Sequence, residues 1–262
     1  MLLRRGLNAA LCAALLSLPT ACHADEAAID ETSALPELGL AGTIPIYWGE
    51  TGNFGDLLAG GGEGHWARAR LEAGFRLNPL DTLTGESLAG IDFLLLAQPR
   101  APSPAENVAL DAWVRAGGRL LLFADPMMTG ESRYAIGDRR RPQDVILLSP
   151  ILRHWGLTLE FDDDRDPGPA LVRGAAASIP VNLPGALTLG EGEADCRMLV
   201  SDVLASCSIG EGRAVILADA ALLDLHQRHP AASAAFDWLV AQSFGRAGES
   251  MGQASSSSLP RQ

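Results

Sequence analysis

Polar side chains follow several apolar runs of this sequence, at places where the strands of an α/β sheet would end. Trp48 and Glu50 follow the first run, Gln98 and Arg100 follow the second, and Asp125 follows the third. Because ligands of open parallel sheets bind at the carboxyl ends of the strands, we expect these side chains to converge on one cleft. An arginine, two carboxylates, an amide and an indole would suit a small polar ligand. The residues that we expect to form this site are Trp48, Glu50, Gln98, Arg100 and Asp125, with Arg133 on a covering loop.

Two alternatives to a binding site stay open at this point. Glu50 and Asp125 could serve as the paired carboxylates of a hydrolase that acts on envelope glycans or peptides. That reaction needs the two carboxyl groups within roughly 5 to 9.5 Å of each other, and burial must raise the pKa of one of them. A purely structural envelope protein would instead fill the cleft with its own side chains.

Other catalytic chemistries find no support in the sequence. It contains no lysine, which excludes a Schiff base or a P-loop lysine, and it has no Gly-x-Ser-x-Gly elbow. The histidines do not stand in a His-Glu-x-x-His frame. We therefore expect a protein without a catalytic nucleophile or a metal centre.

Two partial ligand-binding patterns also fail in detail. The glycines at 62 and 64 fit a dinucleotide-binding spacing, but thirteen residues separate them from Trp48, whereas the pattern must follow its strand immediately. The acidic run 162–166 resembles the start of a calcium loop, but Arg173 stands where the bidentate glutamate should be. The sequence thus predicts no cofactor.

The charge of the chain restricts its partners. Lys and Arg together number 20 and Asp and Glu number 32, which gives a formal net charge of -12. Nucleic-acid binding needs a basic face that neutralises phosphates, so we expect no nucleic-acid partner. The three consecutive arginines 139–141 are interpreted as a solvated loop or a contact with an acidic partner.

The first 24 residues have the pattern of a secretory signal peptide. Arg4 and Arg5 precede an apolar run at 7–18, and small residues lead to a cleavage position after Ala24. We therefore expect an exported, periplasmic protein. Lipidation at Cys22 is the alternative, although Pro19 stands where the lipidation motif places a leucine. No later apolar run is long enough to span a bilayer, so no transmembrane segment is expected after cleavage.

Two cysteines remain after signal removal, Cys196 and Cys207. A hairpin that turns at residues 201–202 would pair Val200 with Val203 and bring the two cysteines opposite each other. An oxidising compartment would then allow a disulfide worth about 3 kcal/mol. A redox or metal-binding pair is the alternative, but the spacing is not Cys-x-x-Cys. A two-residue turn makes 196 and 207 a hydrogen-bonded pair, which is less suited to a cross-strand disulfide, and a four-residue loop would remove this difficulty.

The helix after Ser103 is the best marked element of the chain. Ser103, Pro104 and Glu106 form the pattern of a capping box, and glycines at 117–118 end the helix. Apolar strands at 92–98 and 119–124 flank it, which predicts a βαβ unit with parallel strands. Further strands are expected at 43–48, 75–77, 157–161 and 213–218, and further helices at 65–74, 150–156 and 231–244.

These elements predict the organisation of the chain. We expect a flexible leader at 25–41, a single α/β domain at 42–245 with a β-rich insertion at about 157–210 that contains a β-hairpin, and a disordered tail at 246–262.

Two segments resemble a known family. Residues 110–126, LDAWVRAGGRLLLFADP, and residues 210–220, GEGRAVILADA, are similar to the glutamine-amidotransferase-like domains of ABC-transport auxiliary proteins of the gliding-motility type. The resemblance implies a three-layer, flavodoxin-like fold with a mostly parallel sheet, and a role beside an ABC-type transporter or an envelope complex. It does not extend to amidotransferase activity, because there is no cysteine elbow and His226 does not begin a His-x-Glu motif. The resulting expectation is an exported, non-catalytic binding or accessory protein.

Overall fold

Eleven strands and four α-helices make up the described part of the chain, in a computed structural model that covers residues 35–50, 64–174, 176–224 and 229–245. The expected signal peptide, the tail at 246–262, His226 and Gly62 lie outside these residues. The strands are β1 (Glu37–Gly42), β2 (Arg76–Pro79), β3 (Phe93–Ala97), β4 (Arg119–Phe123), β5 (Leu157–Glu160), β6 (Pro169–Arg173), β7 (Ser178–Asn182), β8 (Ala186–Leu189), β9 (Asp195–Val200), β10 (Leu204–Ile209) and β11 (Gly212–Leu217). The helices are α1 (Trp66–Glu72), α2 (Pro104–Arg115), α3 (Ser149–Trp155) and α4 (Ala232–Phe244), with a 3-10 turn at Ala221–Leu223.

The central sheet has seven strands in the order β2-β1-β3-β4-β11-β10-β9. The first five are parallel, whereas β10 is antiparallel to both of its neighbours. This confirms the expected α/β class with a mostly parallel sheet. It also confirms the predicted unit in which α2 connects the parallel strands β3 and β4.

The strand predicted at residues 43–48 is wrong, and so is the end of the predicted flexible leader. The first strand lies earlier, at Glu37–Gly42, between β2 and β3, where Leu38 and Leu40 are buried. Pro45 interrupts the later segment, whose Ile44 and Ile46 are buried in turns instead. The chain leaves the sheet at Gly42, which has a φ of +142° and where a Cβ would collide with the carbonyl oxygen of Ala97. The other predicted elements of the central sheet and its helices are present with ends shifted by a few residues.

The strands at the centre of the sheet are covered on both faces. Along β3, Leu95 and Ala97 belong to a core formed with α1 and α4, while Leu94 and Leu96 belong to a second core formed with α2 and α3. Two-sided burial explains why these strands are continuous apolar runs rather than alternating ones.

Helix α2 begins as its sequence predicts. The Ser103 hydroxyl accepts a hydrogen bond from the Glu106 N–H at 3.3 Å, and the Glu106 carboxylate accepts one from the Ser103 N–H at 2.8 Å. The predicted capping box is therefore confirmed. Because α2 is held at this end, the loop between β3 and α2 has a fixed position, and that loop carries Arg100.

The region predicted as a β-rich insertion at 157–210 divides into two parts. Strands β5 to β8 form two small antiparallel sheets, β5 with β8 and β6 with β7. Strands β9 and β10 instead extend the central sheet. The insertion therefore ends before β9, because the cysteine hairpin pairs with β11 through β10.

The predicted disulfide is present between Cys196 and Cys207, which stand opposite each other in the β9–β10 hairpin. The predicted two-residue turn is wrong, because Val200 pairs with Leu204 and the turn contains three residues. Leu199 is then an extra residue on β9, which restores the register that places the cysteines together. Among the described helices, none is long and apolar enough to cross a membrane.

Reduction of the Cys196–Cys207 bond should lower the free energy of unfolding by about 3 kcal/mol, because the bridge limits the conformations of the unfolded chain. Denaturant unfolding with and without a reducing agent measures this effect. The double substitution Cys196→Ser and Cys207→Ser is the control, since its stability should not respond to the reducing agent. Equal stability of the wild type in both conditions would contradict the prediction.

Candidate functional site

The parallel strands β1, β3, β4 and β11 are neighbours in the sheet, and their carboxyl ends lie side by side at one edge. Several of the predicted site residues follow these strand ends. Gly42 ends β1, Gln98 follows β3, and an Ala-Asp pair follows both β4 and β11, which places Asp125 and Asp219 on neighbouring strands. The loop at 126–148 lies against this edge, because the N–H of Gln143 bonds to the Thr43 hydroxyl at 2.9 Å.

Gln98 holds strand ends together and is not available to a ligand. Its side chain is fully buried, and its amide nitrogen donates to the carbonyl oxygens of Asp125 and Gln143, both at 2.9 Å. Its amide oxygen accepts a hydrogen bond from the Asp125 N–H at 2.8 Å. These bonds fix the ends of β3 and β4 to the loop above them, and they correct the expectation that Gln98 lines the binding site.

Asp125 and Asp219 are both fully buried and satisfied by backbone N–H groups. Asp125 accepts hydrogen bonds from Met127 at 2.8 Å and from Ala220 at 3.1 Å. Asp219 accepts them from Ala221 at 2.7 Å and from Asn182 at 2.9 Å. Each carboxyl group thus closes its own turn and also joins a second segment of the chain.

Burial raises the pKa of Asp125 to about 6, although the N–H groups of Met127 and Ala220 act in the opposite direction. Burial also raises the pKa of Asp219 well above its usual value, and the negative charge of Asp125 raises it further. The two groups therefore form a buried acid pair in which the second ionisation is disfavoured. Asp219 was not among the predicted site residues, although the repeated Ala-Asp after two buried strands was visible in the sequence.

The Glu50 side chain binds to the loop at 126–148 and does not line the cleft. Its carboxylate accepts hydrogen bonds from the Ser132 hydroxyl at 2.6 Å and from the Arg133 N–H at 3.0 Å, and the guanidinium of Arg133 lies 4.0 Å away. The carboxylate is largely buried, whereas the Arg133 side chain is half exposed. Glu50 and Arg133 therefore lie together, and their contacts anchor the loop.

An open cleft of about 350 Å³ lies at the ends of β1 and β3, beside the segment that follows β2. Arg100 lines it and is exposed, and its guanidinium lies 3.4 Å from the carbonyl oxygen of Asp81. Glu106 lines the same cleft, but its carboxylate accepts hydrogen bonds from the N–H groups of Ser103 and Leu83, which lower its pKa. Arg100 is thus the side chain of the predicted set that faces this cleft.

Trp48 lies at an adjoining depression of about 150 Å³. This depression shares Gly42, Leu80 and Asp81 with the cleft of Arg100. The indole is 68% exposed and meets the ring of Tyr47 edge to face at 4.7 Å. Trp48 and Arg100 therefore line two connected parts of one surface, from which Gln98 and Asp125 are separated by burial.

The acidic run at 162–166 has partners within the protein. The carboxylates of Asp162, Asp163 and Asp164 lie within 4.8 Å of one another. Asp162 bonds to the Asp164 N–H and pairs with Arg165 at 3.3 Å. Arg165 also pairs with Asp202, so this turn is fastened to the β9–β10 hairpin.

The sequence matches no protein-family model and no curated protein. Among solved structures, an exo-β-1,4-mannosidase from Opitutaceae bacterium strain TAV5 has 14% identity and a TM-score of 0.42, over 88% of this chain and 37% of that chain. A β-galactosidase from Rahnella sp. R3 has 14% identity and a TM-score of 0.45, over 79% of this chain and 31% of that chain. The chain therefore spans about a third of the length of these two enzymes.

A ThuA-like protein from Bacteroides uniformis is similar along most of both chains. It has 12% identity and a TM-score of 0.46, over 81% of this chain and 94% of that chain. At TM-scores below 0.5, none of these three similarities contributes to the argument about function.

The acid pair should make the protein less stable as the pH rises from 5 to 8. A carboxyl group whose pKa is raised by folding binds its proton more tightly in the folded state, so its contribution is greatest below about pH 4 and is lost as the pH passes 6. For Asp125 the loss between pH 5 and pH 8 is on the order of 1 kcal/mol, out of roughly 3 kcal/mol over the whole range from below pH 4 to pH 8. Denaturant unfolding at several pH values measures it.

The substitution Asp219→Asn should reduce this pH dependence, because it removes the carboxyl group whose pKa is raised well above its usual value by burial and by the charge of Asp125. The matched control is Asp195→Asn on the exposed side of β9, which should retain the wild-type slope. A wild-type stability that stays constant or increases between pH 5 and 8 would refute the acid-pair interpretation.

Proposed function

We propose that the protein is an exported, non-catalytic binding domain that acts as an accessory component of an ABC-type transport or envelope complex. In this proposal the fold is a three-layer, flavodoxin-like and amidotransferase-like one, as the resemblance of residues 110–126 and 210–220 implies. The observation that carries the binding role is the exposed Arg100 in an open cleft of about 350 Å³, next to an exposed Trp48.

The cleft favours a ligand with an anionic group. Its size falls within the range of small-molecule sites, and a guanidinium can hold a carboxylate or a phosphate through two parallel hydrogen bonds. The neighbouring carbonyl oxygen of Asp81 and the indole of Trp48 would add a hydrogen-bond acceptor and an apolar surface. A small polar ligand, or an acidic side chain of a partner protein, fits this description.

The burial of the carboxyl groups argues against the hydrolase alternative. The raised pKa of Asp125 would suit a general acid. However, Asp125 has no exposed surface, and both of its oxygens already accept backbone hydrogen bonds. Glu50 is likewise held by Ser132 and Arg133. A glycan or peptide could reach these groups only if the loop at 126–148 opened.

The open cleft also argues against a purely structural role, since a structural protein would fill it with its own side chains. Export is supported by the signal-peptide pattern at 1–24 and by the Cys196–Cys207 bridge, because disulfides persist in oxidising compartments. An envelope complex is then the natural setting for an accessory protein of this kind.

Cross-linked co-purification from the host envelope tests the binding role. The wild type should recover ABC-transporter subunits, and Arg100→Ala should reduce their recovery about tenfold or more, since a charged hydrogen-bond partner is lost from the cleft. The matched control is Arg153→Ala, an exposed arginine on α3, which should behave like the wild type. Recovery of no transporter subunit, or equal recovery with Arg100→Ala, would refute the accessory role.

Export is tested separately by mass spectrometry of the protein from the periplasmic fraction. The expected mature chain begins at Asp25, after removal of residues 1–24. A mature chain that begins at a lipid-modified Cys22 would show that the protein is lipidated instead. Recovery of the intact chain from the cytoplasm would refute export.

A further inference from the structure

The loop after β4 presents an isoleucine to solvent. Ile136 is 87% exposed, although aliphatic side chains of this size are usually buried. Its neighbours in the sequence are Ala135 and Gly137, and arginines stand three residues away on each side, at 133 and 139. We define residues 133–141 as the arginine loop.

Ile136 stands at the tip of a tight turn. The N–H of Asp138 donates to the carbonyl oxygen of Ala135 at 3.0 Å, and Gly137 has a φ of +88°. This is a type II turn, with Ile136 at its second position and the glycine that such a turn requires at its third. The backbone therefore projects the isoleucine side chain outward.

The base of the turn is anchored. Tyr134 is buried, and its carbonyl oxygen accepts a hydrogen bond from the Arg141 guanidinium at 3.1 Å. A second turn follows, in which the Arg141 N–H donates to the carbonyl oxygen of Asp138 at 3.0 Å. Arg140 lies over the ring of Tyr134 at 4.3 Å and pairs with Asp138 at 2.7 Å. The exposed tip is thus carried by an ordered structure.

The arginine loop is basic within an acidic protein. It contains Arg133 and the arginines 139–141 with one acid, Asp138, which gives a formal charge of +3 in a chain of net charge -12. Two acids outside the loop lie against it, because Arg141 pairs with Asp144 at 3.3 Å and Arg133 lies 4.0 Å from Glu50, so the loop with these partners carries +1. Arg139 and Arg140, which follow the tip in the sequence, are exposed, and Arg133, which precedes it, is half exposed. Exposed arginines therefore precede and follow one apolar side chain within nine residues.

We propose that the arginine loop docks on an anionic phospholipid surface, with Ile136 inserted among the headgroups and the arginines in contact with phosphates. An exposed apolar tip with exposed arginines in the same loop matches a surface that is anionic outside and apolar beneath. At an ionic strength of about 0.1 M the screening length is about 10 Å, so the loop responds to its local charge more than to the acidity of the whole chain.

A second exposed side chain lies near the base of this loop. Glu50 bonds to the N–H of Arg133, and Trp48 precedes Glu50 by two residues. Tryptophan prefers the boundary between lipid and water. This docking does not depend on ligand binding in the cleft.

Co-sedimentation with vesicles tests the proposal, with the protein isolated as its host processes it so that the predicted signal peptide does not contribute. The wild type should bind vesicles of phosphatidylcholine with about 30% phosphatidylglycerol and should not bind vesicles of phosphatidylcholine alone. High salt should release it, because screening weakens the arginine contacts. No binding to the anionic vesicles, or equal binding to both kinds, would overturn the proposal.

Two pairs of variants locate the contact. Ile136→Asp should weaken binding about tenfold or more, whereas Val108→Asp, at a 71% exposed valine on α2, should not. Arg139→Glu should weaken binding about tenfold or more, whereas Arg153→Glu on α3 should have little effect. Thermal melting of each variant checks that it is folded. Equal effects within each pair would overturn the assignment to the arginine loop.

A photo-reactive residue in place of Ile136 separates a lipid from a protein partner. Adducts with phospholipid in host membranes support the proposal. Adducts with a protein and none with lipid would overturn it and assign the exposed tip to a protein interface.

Discussion

The structure depends on how the ends of its buried parallel strands satisfy their hydrogen bonds. A backbone that leaves a sheet in the protein interior has donors and acceptors that water cannot reach. Here the side chains of Gln98, Asp125 and Asp219 satisfy them, and each connects its own strand end to another segment. These three residues therefore stabilise the fold, and burial raises the pKa of the two carboxyl groups among them.

The polar residues at this edge of the sheet therefore fall into two groups, buried and accessible. Those under the loop at 126–148 hold strands and loops in place, while Arg100 and Trp48 lie at the open side near β2 and remain accessible. A polar residue after a parallel strand is thus a candidate for two different roles, and the sequence pattern is the same for both. The choice depends on whether another segment covers the strand end.

The sequence was sufficient wherever one local rule determined the outcome. Buried apolar runs specified β3, β4 and β11, the capping box specified the start of α2, and an even cysteine pair across a short turn specified the disulfide. The first strand was missed because Leu38 and Leu40 flank a glycine, whereas the more apolar segment after it contains Pro45. The role of Gln98 could not be predicted, because its partners lie 27 and 45 residues away and meet only in the folded protein.

The bulged, disulfide-linked hairpin has a consequence for how copies of this protein behave at high concentration. Strand β9 forms one border of the central sheet, where unpaired backbone groups could recruit a strand from another molecule. The extra residue Leu199 disturbs the regular spacing of those groups, and Asp195 and Arg197 place charges along the strand. The covalent bond from Cys196 keeps β9 from shifting along β10 into a regular alignment. The opposite border, β2, has only four residues and ends in Pro79. Both borders are therefore poor templates for aggregation.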